Sequence, residues 1–138
     1  MLLEKSLDIY LDYVCERCFH TPMECTCEFK PWNLRFIDRG VQDHVRILNE
    51  KGYITNGCCE SHYNSNSVNI NICFIRDYGF GKTLPLPEGF KTMKSKHTVI
   101  YEYKNIKKIT EEDMNAQKEV YLNRLLEWCK NLPVNTMR

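Results

Sequence analysis

Four cysteines within thirteen residues, Cys15-Glu-Arg-Cys18 and then Cys25-Thr-Cys27, constrain this chain more than any other feature. A Cys-x-x-Cys turn points backbone amides at its sulfurs and brings both thiolates onto one ion, and the tighter Cys-x-Cys half can also chelate. Zinc in closed structural sites takes four ligands tetrahedrally, and thiolates suit it. The segment is short and polar, with little core of its own, so metal affinity would supply its folding energy. The spacing therefore predicts a structural Zn2+ on Cys15, Cys18, Cys25 and Cys27, with His20 as a substitute ligand. A redox dithiol of the thioredoxin type belongs between a strand and a helix, and this one is expected to follow a helix.

The chain has 138 residues and eight cysteines, 43% apolar and 27% charged residues, and a formal net charge of +1. That length fits one domain, and that composition fits a globular protein. The charge balance argues against nonspecific duplex binding, which calls for a basic excess. Basic residues concentrate only at Lys91, Lys94, Lys96, Lys104, Lys107 and Lys108. No apolar run reaches the roughly 20 residues of a membrane span. The charged N-terminus lacks the apolar stretch of a signal peptide. The expected compartment is the cytoplasm, where thiols stay reduced and clustered cysteines bind metal.

Periodicity predicts the elements. Leu3, Leu7, Tyr10 and Val14 recur at helical spacing over 2–14. Pro22 and Pro31 keep 15–33 irregular. A helix with Asp38 as N-cap carries Val41, Val45 and Leu48, and Gly52 stops it in the left-handed conformation. A strand over 53–59 ends in a loop at 60–66. Strict alternation in Val68-Asn-Ile-Asn-Ile-Cys-Phe74 predicts a strand with Val68, Ile70, Ile72 and Phe74 inward. The Gly- and Pro-rich stretch 77–96 reads as loop, and Thr98–Tyr103 as a third strand. Thr110 caps a last helix whose buried stripe is Met114, Tyr121, Leu125, Trp128 and Leu132, and Pro133 ends it. The expected fold class is α+β: a small antiparallel sheet of about three strands covered by helices, with the knuckle at 15–27 and the α+β core over 34–132, all one domain.

Three further patterns bear on chemistry. Gly57-Cys58-Cys59-Glu60-Ser61-His62 gathers thiols, carboxylate, hydroxyl and imidazole in one loop. Residues so close along a loop seldom face each other as a catalytic pair, so a binding or structural loop is the stronger expectation, with a second metal site or catalysis behind it. Gly79-Phe80-Gly81-Lys82-Thr83 ends like a phosphate-binding loop, but the first glycine of that pattern falls on Arg76 and no helix can follow through Pro85 and Pro87. Asn56, Asn69 and Asn71 offer paired donors and acceptors on a sheet face, suited to a nucleobase or an amide, although a solvated sheet face is the stronger expectation.

The helix end Leu48-Asn49-Glu50-Lys51-Gly52-Tyr53, the loop Gly57-Cys58-Cys59-Glu60-Ser61-His62 and the later Leu84-Pro85-Leu86-Pro87-Glu88-Gly89-Phe90 resemble a group of small bacterial and phage proteins. Their common loop reads Cys-Ser-Gly-His or Cys-Glu-Gly-His after a Lys-Gly-Tyr helix end. The resemblance covers roughly residues 15 to 90. Ser61 stands where that group often has glycine, which stiffens the turn. One helix and one loop also resemble the tRNA wybutosine-synthesis family, which implies an RNA or nucleotide ligand.

The resulting expectation is a non-enzymatic, zinc-stabilised binding protein of phage or mobile-element type that sequesters a host defence protein, a nucleotide signal or a nucleic acid. Its ligand surface is expected at Asn56, Cys58, Cys59, Glu60 and His62, with Asn69 and Asn71 alongside. Two alternatives are an enzyme acting on nucleic acid or a nucleotide through Cys58 or Cys59, Glu60 and His62, and an RNA-binding zinc knuckle with salt-sensitive affinity.

Overall fold

The computed structural model describes residues 12–27, 34–61, 67–93, 97–104 and 109–136. Two antiparallel sheets and two helices make an α+β fold. Strand β1 (Tyr13–Cys15) pairs with β2 (Leu34–Phe36) in a two-stranded ribbon. A single 3-10 turn (Arg39–Val41) leads into α1 (Gln42–Glu50). Then come β3 (Thr55–Cys59), β4 (Ser67–Phe74), β5 (Lys91–Met93), β6 (Thr98–Lys104) and α2 (Glu111–Asn131). The larger sheet has the order β3-β4-β6-β5.

The strand β4 alternates as its sequence requires, with Val68, Ile70, Ile72 and Phe74 buried and Asn69, Asn71 and Cys73 half-buried on the other face. The inward row packs with Val99 and Tyr101 of β6, Leu48 of α1, and Met114, Leu125, Trp128 and Cys129 of α2. A second, smaller core joins Val14, Ile37, Val41 and Val45 under the ribbon, and Cys58 and Leu122 pack against both cores. Phe80, from the Gly79-Phe80-Gly81 stretch, inserts among Phe74, Tyr53 and Trp128, with ring centroids 4.8–5.6 Å away. The Trp128 indole donates to the Pro85 carbonyl at 2.7 Å. That stretch is a packing device.

Helix ends follow their sequence signals. Thr110 caps α2, its hydroxyl accepting from the Asp113 N–H at 3.0 Å, with Glu111, Glu112 and Asp113 in the first turn. The Tyr53 N–H reaches Leu48 O and the Gly52 N–H reaches Asn49 O, closing α1 in the double bond pattern that demands a left-handed residue, and Gly52 supplies φ +93°. The same triplet holds the far end of α2. The Lys51 ammonium donates to the carbonyls of Cys129 (2.9 Å), Lys130 (2.5 Å) and Leu132 (2.7 Å). The Tyr53 hydroxyl donates to Pro133 O at 2.6 Å, and Asn135 bonds back to Lys51 O and Gly52 O.

Several expectations are corrected. The N-terminal helix does not run to Val14: Tyr13–Cys15 is a strand, in register Tyr13↔Phe36 and Cys15↔Leu34, and residues 1–11 of that expectation lie outside the described residues. Pairing with β2, and the edge-on contact of the Tyr13 and Phe36 rings at 5.6 Å, override the local helical spacing. Asp38 does not cap α1 with its side chain. It is buried, and its carboxylate accepts the Glu60 N–H at 3.2 Å instead. The sheet has four strands because Lys91–Met93, inside the expected loop, adds to β6. Among the described residues no helix is long and apolar enough to cross a membrane.

Candidate metal centre and adjoining clefts

The ribbon delivers Cys15 directly into the first turn of the metal lobe. There the Cys15 N–H donates to His20 O and the Phe19 N–H to Cys15 O, both at 2.9 Å. Phe19, at φ +59°, reverses the chain. The Arg17 amide points at Cys15 Sγ at 3.4 Å. A second turn, closed by the Cys25 N–H on Thr21 O, presents the other pair, with the Cys27 amide 3.3 Å from Cys25 Sγ. All four sulfurs lie within 4.8 Å of one another. None is in a disulfide. A tetrahedral ion with metal–sulfur bonds of about 2.3 Å needs sulfurs about 3.8 Å apart, so a small contraction closes the shell.

Three of the thiols are shifted by burial and by one another. Against the opposing effect of burial, the amides of Cys18 and Arg17 and the neighbouring thiols hold Cys15 down to about 7. Burial, and then the thiols of Cys18 and Cys15, push Cys25 up to about 12. Cys27 is raised as well, chiefly by Cys18. Charge on one thiolate opposes charge on its neighbours, and a bound dication would offset that opposition. This donor set can hold a metal ion, and its four protein ligands leave no position open. His20 stands outside the sulfur group and lines a neighbouring cleft.

The other expected site residues divide between two faces. A bulge between Thr55 and Gly57 leaves Asn56 exposed. Beyond it Cys58 pairs opposite Ile72 and faces the core, while Cys59 pairs opposite Asn71 on the other face. Burial, then the charge of Asp38, pushes the Cys58 thiol up to about 11. On the Cys59 face the Asn71 amide donates to Asn69 Oδ1 at 2.8 Å, and the Thr98 hydroxyl lies 3.3 Å from Cys73 Sγ. Glu60 turns back toward α2. Its carboxylate lies 4.0 Å from the Lys118 ammonium and packs over Gly40, where an added Cβ would stand 2.0 Å from Glu60 Oε2. Ser61 is buried at φ +72°, the conformation that a glycine takes most easily there, and its hydroxyl accepts the Asn69 N–H at 3.0 Å. His62 lies outside the described residues. Asn56 and Cys58 are thus brought together, and Cys59, Asn69 and Asn71 together elsewhere.

Two clefts share Arg35. One, of about 170 Å³, lies between the end of β2 and β3 and includes Asp38, Thr55, Asn56 and Cys58. The other, of about 470 Å³, lies against the knuckle and includes Arg17, Phe19, His20, Arg35 and Glu50. Sequence reasoning did not single out Arg17, Arg35 or Glu50. They are charged residues of ordinary appearance, far apart in the chain, and only the lobe's return through β2 assembles them. Of the lysine cluster, Lys94, Lys96, Lys107 and Lys108 lie outside the described residues, and Lys104 sits 3.7 Å from Glu102. Comparison with protein-family models, curated proteins and solved structures finds no match to this chain.

Proposed function

We infer that this chain is a non-enzymatic, zinc-stabilised binding protein of phage or mobile-element type that works by occupancy, sequestering a nucleotide signal, a nucleic acid or a host defence protein. The observation that carries this reading is the tetrathiolate group, four sulfurs within 4.8 Å. Such a shell suits zinc and a structural role, because catalytic zinc keeps a coordination position for water or substrate. The two clefts supply the concave surface that a binder requires.

Catalysis through the 58–62 loop has weaker support. A thiol raised to about 11 is a poor nucleophile at neutral pH. Cys58 and Cys59 point to opposite faces of the sheet, and Glu60 is engaged with Lys118 over Gly40.

Native mass spectrometry of protein purified without added metal tests the reading. One zinc per chain is expected, and Cys27→Ser should lose it. Metal-free protein with an intact fold, or nucleotide turnover abolished by Cys58→Ser, would sink it.

A further inference from the structure

We propose that the cleft of about 470 Å³ beside the metal lobe is a site for a guanine nucleotide, with the phosphate on Arg17 and Arg35 and the base edge on Glu50. The inference rests on the reading of the chain as a binding protein with an intact metal lobe. The volume falls within the roughly 300–1,000 Å³ of small-ligand sites.

Its lining carries the three kinds of group such a ligand needs. Arg17 and Arg35 offer planar guanidinium forks, which match phosphate oxygens. Phe19 and His20 offer ring faces for a base. Glu50, the last residue of α1, offers two acceptor oxygens. Guanine alone among the common bases presents adjacent N–H donors, at N1 and N2, that a single carboxylate can accept together. Adenine presents an acceptor beside its amino group, and uracil a single N–H.

Part of the lining is held in place before any ligand arrives. Phe19 packs against the smaller core, and Arg35 is paired opposite Val14 in the ribbon with its guanidinium 3.5 Å from Thr55 O. Arg46, 2.9 Å from Asp43, lies 4.0 Å from the Glu50 carboxylate. Among the described residues, no hydrogen bond or ion pair engages the Arg17 or His20 side chain, so both are available to a ligand. The mixed charge sorts the ligand classes. Glu16 and Glu50 would repel the dense phosphates of a duplex, whereas one nucleotide unit meets cations at one end and a carboxylate at the other. An added peptide strand is a poor fit, because β3 is broken by its bulge at Asn56.

The test titrates zinc-loaded protein with GMP, AMP and UMP by calorimetry, and with a short single-stranded oligoribonucleotide containing one guanine. GMP is expected to bind at least about tenfold more tightly than UMP, since a base edge left unpaired forfeits that much. Arg17→Ala should weaken GMP about tenfold or more without changing metal content, and Glu50→Gln should erase the preference for guanine. An oligonucleotide that outbinds GMP identifies the source as RNA, and equal affinity identifies the free nucleotide. Zinc-loaded protein that binds no nucleotide up to about 1 mM overturns the proposal and leaves the binding-protein reading standing. Equal affinity for GMP and UMP overturns the assignment of the base. Protein without zinc defeats the underlying reading and this site with it.

Discussion

Lys51→Met isolates the clamp that joins the middle of the chain to the end of α2. The ammonium serves carbonyls of Cys129, Lys130 and Leu132, in the last turn, where a helix has no partners of its own to offer. Methionine keeps most of the aliphatic stem and removes only the donor and its charge. The contacts to Cys129 and Leu132 are partly buried, so leaving each carbonyl without a donor costs about 1 kcal/mol, and removing a cation from a helix C-terminus adds roughly 0.5 kcal/mol. The expected loss is therefore about 2–3 kcal/mol, or a fall in Tm of roughly 7–12 °C for a chain of this size. Urea unfolding followed by circular dichroism measures it. Lys130→Ala is the control. Its ammonium lies 3.7 Å from Glu127 with both side chains more than half exposed, so it should lose less than about 0.5 kcal/mol. If Lys51→Met loses no more than Lys130→Ala, the clamp contributes nothing and the reasoning fails.

Two other outcomes follow from buried polar groups. His44 is buried on α1, with Nε2 2.7 Å from Leu122 O and Nδ1 without a partner among the described residues, and burial lowers its pKa. The unfolded chain takes up that proton near pH 6.5 and the folded chain only at lower pH. Its neutral form is fully compatible with the fold above that pH, and stability falls as the pH drops below it. The stability difference between wild type and His44→Gln should thus change between pH 7.5 and pH 5.5, and a constant difference would remove His44 from the account. Gly40→Ala should cost about 1 kcal/mol by displacing Glu60 from Lys118, and this penalty should vanish in a Glu60→Ala background, as a double-mutant cycle in urea would record.

The legible parts of this fold were those whose signal is local. The alternation of Val68 to Phe74, the cap at Thr110 and the left-handed Gly52 each carry a mechanism within a few residues. The four-cysteine cluster was legible because potential donors spaced this closely in the chain come together through local turns. The ribbon was not. Tyr13–Cys15 and Leu34–Phe36 are three residues each, too short for a period, and they form because closing the lobe brings them together. The same applies to Lys91–Met93. Asp38 looked like a cap because its residue type suits one, but its partner, the Glu60 amide, lies twenty-two positions away. The lysine of Lys51-Gly52-Tyr53 looked like a helix-end residue, and its contacts with residues 129–132 depend wholly on tertiary structure.

The division of the interior into two cores has a consequence for how the molecule opens. Among the described residues the smaller core buries Val14, Ile37, Val41 and Val45, with Phe19 packed against it, and it meets the larger through Cys58 and Leu122. Its described residues enclose less apolar surface than the larger core, so its local opening is expected to need less free energy than global unfolding. The expected consequence is a sub-global opening at the ribbon while the large sheet and α2 stay folded. Val14 adjoins Cys15 of the four-sulfur cluster, so an ion held there would resist that same opening and its affinity would set how often the lobe is exposed to proteases.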